Sequence, residues 1–95
     1  MENELWSRSV AVPSYALLRV LPDQEAVVLN LETEVYFGLN ASALRMWETA
    51  TAAPNLGAAF ETLKEDFDAD PDQIRHDFEA LISELVDRGL LQLSQ

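Results

Sequence analysis

Hydrophobic and polar positions divide the chain into two halves of different period. From Ser14 to Leu39 the pattern is that of strands. SYALLRV is mostly apolar and β-permissive, PDQE is turn material, and AVVLNL makes a second strand. A short NLETE turn then leads to VYFGL, residues Val35 to Leu39. Three strands joined by such short connections predict an antiparallel meander.

After Leu39 the period becomes helical. Asn40 is a good N-cap, and Leu44 and Trp47 share one face of a helix running to about Thr51. Pro54 ends that helix and Asn55 caps the next, in which Leu56, Ala59, Phe60, Leu63 and Phe67 form a single apolar stripe. A third helix has Asp70 as N-cap, Pro71 at N1 and Gln73 at N3, where it can reach back as in a capping box. Ile74, Phe78, Leu81, Ile82 and Leu85 make its apolar face, and Gly89 follows Arg88 as the C′ residue. The closing LLQL reads either as a last short strand or as an apolar plug. Strands first and helices after predict an α+β domain, winged-helix-like, with three antiparallel strands followed by three helices. Residues 1–95 are expected to form this single domain, with residues 1–13 a flexible lead-in.

Charge narrows the range of partners. Seventeen acidic against six basic residues leave −11, which repels phosphate and anionic lipid alike. The third helix would suit a groove-reading helix by length, but Asp72, Asp77, Glu79, Glu84 and Asp87 outnumber Arg75 and Arg88 on it. Nucleic acid and membrane are therefore not expected partners, and a basic or neutral peptide is. The sequence contains no cysteine, which removes disulfides, thiolate nucleophiles and zinc–thiolate sites. MENELWSRSV is not a secretory signal and no segment has the length of a membrane span, so a soluble cytoplasmic protein is expected.

Chemistry has few footholds. DFDADPDQIRHD places Asp at positions resembling a calcium loop from Asp66 to Asp77, but Pro71 stands where the sharp turn needs glycine and Asp77 where a bidentate Glu belongs. His76 lies off the apolar stripe with only Asp72 in reach, and the isolated glycines make no phosphate loop. No metal, cofactor or enzymatic activity is expected. VYFGL remains. If Val35, Phe37 and Leu39 face the helices, Tyr36 and Gly38 face away, and the strand can lie at an edge without Pro or Lys to guard it. Either that edge is open for a further strand, as strand-addition recognition requires, or LLQL covers it, or Tyr36 and Phe37 are plain core.

The stretch from Val27 to Leu91 resembles the PqqD-like family, the RiPP recognition elements. Tyr36-Phe37-Gly38-Leu39-Asn40, Trp47, Asp70-Pro71, Asp77 and Gly89-Leu90-Leu91 carry the resemblance. It departs where the family has a turn glycine after Thr33, which is Glu34 in this chain. The resemblance implies a non-catalytic module that binds the leader of a ribosomally synthesised precursor peptide as an added strand. Carried over, the pairing edge would be Val35, Tyr36, Phe37, Gly38 and Leu39, and the third helix would line the groove with Ile74, Asp77, Phe78 and Leu81. Spacing alone does not divide that helix between leader and core. Stand-alone members of this size resemble those of lasso-peptide clusters, so the implied partners are a separate leader peptidase and a cyclase or other modifying enzyme. A homodimer in the free state would also cover the edge. The alternative reading is an acidic winged-helix adaptor between proteins of transcription regulation.

Overall fold

The computed structural model describes residues 4–94. A single 3-10 turn, Glu4–Ser7, and a two-residue strand β1, Val10–Ala11, come before the meander. The meander itself is β2 (Ala16–Val20), β3 (Ala26–Asn30) and β4 (Tyr36–Leu39), antiparallel in that order. Helices α1 (Ala41–Ala52), α2 (Leu56–Asp66) and α3 (Pro71–Asp87) follow, and β5 (Gln92–Leu93) closes the chain. The architecture is the expected α+β arrangement of a three-stranded antiparallel sheet followed by three helices.

Local chemistry explains the boundaries. Asn40 and Asn55 cap α1 and α2 by accepting from the backbone N–H groups of Ala43 and Ala58. At α3 the side chain of Asp70 accepts from the Asp72 N–H and Pro71 stands at the first position, as expected. The capping box does not form. Gln73 donates forward to Asp77 Oδ1 at 2.9 Å, one turn on, where a charged acceptor offers a stronger bond than the neutral backbone behind it. The helix ends in a Schellman motif: Leu90 N–H reaches the Leu85 carbonyl, Gly89 N–H reaches that of Val86, and Gly89 takes φ 73°.

One face of the sheet and the apolar sides of the helices share a core in which Val28, Leu39, Trp47, Leu63, Phe78 and Leu85 are buried. The described part of the lead-in, residues 4–13, packs against the helices. Trp6 lies stacked 6.1 Å from the Phe78 ring and 5.4 Å from that of Phe60, and Val10 is buried. The indole area removed from water explains why this segment packs down. Both readings of LLQL are realised in part: Leu90 and Leu91 are buried, and Gln92 and Leu93 form β5. That strand pairs with β1, matching Val10 to Leu93, and not with β4.

The β3–β4 connection turns on Asn30. Its buried side chain accepts from the N–H groups of Glu32 and Thr33, and its carbonyl accepts from Glu34 N–H. Closing this loop places Glu34 at φ 62°, the left-handed region that a glycine enters without strain. Glu34→Gly is expected to raise stability by about 0.5–1 kcal/mol, the relief of strain exceeding the extra entropy of an unfolded glycine. A urea midpoint that stays put or falls would contradict this.

Candidate functional site

Pairing between β3 and β4 determines what the outer side of β4 offers. Asn30 N–H donates to the Val35 carbonyl at 2.8 Å, and the register matches Leu29 with Tyr36, Val28 with Phe37, Val27 with Gly38 and Ala26 with Leu39. Hydrogen-bonded and non-hydrogen-bonded pairs alternate in an antiparallel ladder. Val35, Phe37 and Leu39 therefore turn their backbone groups toward β3, while Tyr36 and Gly38 turn theirs outward. β4 is a terminal strand of its sheet and β5 pairs elsewhere, so these outward groups have no strand partner among the described residues. A Cβ built on Gly38 would meet no atom within 4 Å, so the sheet face beside this edge is open there.

A second wall comes from α3. Asp77, Leu81, Glu84 and Arg88 recur at the spacing that puts them on one side of a helix. At one end the Arg88 guanidinium stands 5.2 Å from the centre of the Phe37 ring, and its Nε donates to Glu84. At the other end Asp77 and Leu81 face the start of α1 across a depression of about 240 Å³, shared with Asn40, Ser42, Ala43 and Met46. Phe37 thus marks one end of a cleft and Asn40 the other. The chain of β4 and the stripe on α3 run along it in opposite directions. Phe37, Leu81 and Met46 give the cleft apolar side chains, and Asp77 and Glu84 place two carboxylates on its helical wall.

The residues named from the sequence fall into two groups. Tyr36 (68% exposed), Gly38 and Asp77 are exposed, Phe37 and Leu81 are half-buried, and Val35 lies open just before β4. Phe37, Asp77 and Leu81 border the cleft with their side chains, whereas Tyr36 and Gly38 reach its edge through their backbone groups. Leu39, Ile74 and Phe78 are buried in the core and present no side-chain surface to it. On α3 Phe78 points at Trp6 and Ile74 is buried in the core, whereas Leu81 is rotated toward α1. Glu84 and Arg88 join the cleft beyond the residues that the sequence pattern names. Their i, i+7 and i+11 spacing from Asp77 was the available signal.

Other candidate chemistry disperses. Asp66 pairs with Arg45, Asp70 caps α3 and Asp77 holds Gln73, so the acidic window from Asp66 to Asp77 spends its members on separate tasks. Among the described residues no three carboxylate or imidazole groups converge as metal ligands would. His76 is exposed on α3. No described helix is long and apolar enough to cross a membrane.

Comparison with known proteins agrees with this architecture. The family model described as coenzyme PQQ synthesis protein D (PqqD) matches residues 25–91, which contain β3, β4 and all three helices. The solved structure of TbiB1 in complex with the TbiA(beta) leader peptide is similar with a TM-score of 0.75. The match covers 86% of this chain and 94% of that one at 22% identity, and it speaks for the fold. No curated protein matches the sequence.

Proposed function

Because the chain belongs to the PqqD family, we propose that it is a non-catalytic module that takes up the leader of a ribosomally synthesised precursor peptide as a strand added to β4. The reading rests on one observation, the open edge at Tyr36 and Gly38 facing the α3 stripe across a cleft. Strand addition needs both parts. Outward N–H and C=O groups supply affinity, and a neighbouring wall selects side chains on alternate positions of the incoming strand. TbiB1, a protein of similar fold, binds the TbiA(beta) leader peptide.

The contacting residues in this proposal are Val35, Tyr36, Phe37 and Gly38 on the strand and Asp77, Leu81, Glu84 and Arg88 on the helix. Leu39, Ile74 and Phe78 support them from the core. The bound leader would be handed to a separate leader peptidase and a modifying enzyme, in biosynthesis of the lasso-peptide type, in the cytoplasm. The net charge of −11 favours a basic leader through a faster on-rate more than through final affinity, and gives phosphate backbones nothing to hold.

Fluorescence polarisation of labelled leaders from precursors encoded beside the gene tests the proposal. A short added strand buries little area, so saturation near micromolar is expected, about −8 kcal/mol, with loss on scrambling the leader. Titrations that show no saturable binding to any such leader would remove the reading.

A further inference from the structure

The side of the three-stranded sheet that faces away from the helices is largely aliphatic and aromatic, with Arg19 its one charged member, where a half-solvated sheet is usually polar. Cross-strand partners share a face, so the register sets Leu17, Leu29 and Tyr36 in one row and Arg19, Val27 and Gly38 in the next. Tyr15 and Leu31 make a further row beyond the first, their backbones joined by Leu31 N–H to the Tyr15 carbonyl at 2.8 Å. Leu17 and Leu31 are 44% and 56% exposed. The strand β3 explains how this arises. It buries Ala26, Val28 and Asn30, and so turns Val27 and Leu29 outward, placing its one polar residue inside and two aliphatic ones on the outer face. Over Gly38, where a side chain is missing, Leu21, Val27 and Leu39 border a shallow depression of about 190 Å³.

Exposed acids stand at both ends of this face. Asp23 and Glu25 belong to the β2–β3 turn, and Glu32 and Glu34 to the β3–β4 turn. The face spans three strands of about five residues, roughly 17 by 14 Å at the usual rise and strand spacing. That falls short of the roughly 800 Å² a side that a stable complex buries, so an occupant must also cover the acidic ends. A second copy would bring acid against acid there, with −11 on each chain. A protein with basic groups around an aliphatic centre would gain at the same places.

We propose that the outer face of the β2–β3–β4 sheet docks a partner protein whose contact surface is aliphatic at its centre and basic at its rim, and that this partner is the enzyme acting on the peptide. Geometry ties the two roles together. Tyr36 and Gly38 lie on this face by their side-chain positions and on the open edge by their backbone groups. A partner seated on the face therefore borders any strand paired to β4. The docking surface stands on the sheet alone, whereas the identity of the partner as the enzyme rests on the leader-binding reading.

The test titrates the full chain with each purified leader-processing enzyme encoded beside its gene, by calorimetry, and measures leader polarisation in parallel. The variants are Leu17→Ser with Leu31→Ser at the centre, and Glu25→Lys with Glu32→Lys at the rim, each checked for folding by circular dichroism. At least one enzyme is expected to bind the unaltered chain. Both variants should bind it at least ten-fold more weakly, and leader affinity should stay within about two-fold. Added salt should weaken enzyme binding in the unaltered chain and less so in the rim variant. Unchanged enzyme binding in the centre variant overturns the proposal, as does the absence of binding by every such enzyme. Sedimentation that shows a dimer broken by the centre variant puts a second copy on the face and also overturns it. Failure of leader polarisation with enzyme docking intact would strike the leader reading and leave the docking surface standing.

Discussion

Phe78→Ala is expected to lower the free energy of unfolding by about 3–5 kcal/mol, the range for removing a buried aromatic side chain from a packed core. Phe78 is fully buried, and its ring lies against Trp6, so it joins α3 to the start of the described chain. The gap left by the ring cannot close easily, because the chain just after the 3-10 turn is tied to the start of α2 by the Leu56 N–H bond to the Arg8 carbonyl at 2.8 Å. Against a total stability of about 5–15 kcal/mol this is a large fraction, so a lower expression yield is part of the expected result. Urea unfolding followed by circular dichroism measures it, and indole fluorescence at Trp6 should change alongside. Leu81→Ala, at a half-buried position on the cleft, should cost far less stability and weaken leader binding instead. The reverse pattern, with stability intact in Phe78→Ala and leader binding lost, would move Phe78 into the cleft.

The contrast between Phe78 and Leu81 shows where sequence reasoning stops. Both belong to the apolar stripe of α3, and periodicity assigns both to one side of the helix. The stripe is wide enough to meet two neighbours, and only the packing of α3 on α2 and Trp6 decides which part is left beside α1. Elements whose cause is local were legible. Asn40, Asn55, Asp70-Pro71 and Gly89 mark helix ends through interactions with the next few residues, and the structure has the helix boundaries there. The pairing of β1 with β5 was not legible. It joins two-residue strands from opposite ends of the chain, with Ser9 and Ser94 bonded to each other, and so short a strand carries no pattern. Yet this pairing determines whether the site exists, since it takes the closing strand away from β4. Gln73 illustrates a third case: two partners lay within reach, and composition could not rank the carboxylate of Asp77 above the backbone behind it.

Tyr36→Pro should leave the fold in place and weaken leader binding at least ten-fold. The Tyr36 N–H points away from β3, so a proline at this first residue of an edge strand breaks no bond of the sheet. It removes one donor from the incoming strand and sets a ring where that strand's carbonyl would lie. One hydrogen bond contributes about 0.5–1.5 kcal/mol net, and a stranded acceptor costs about 1–3 kcal/mol, enough together for the ten-fold effect. Phe37→Pro should behave differently, because the Phe37 N–H belongs to the ladder with Val28. Its loss strikes the sheet itself, so lowered stability is expected along with lost binding. Tyr36→Ala separates backbone from side chain: it keeps the N–H, and affinity should stay within a few-fold if pairing is what holds the leader. A large loss in Tyr36→Ala would instead make the phenol ring the anchor. If folded Tyr36→Pro binds the leader as tightly as the unaltered chain, the peptide does not pair with β4. The cleft would then have to hold it through Leu81 and the α3 carboxylates alone, with no register imposed by a strand.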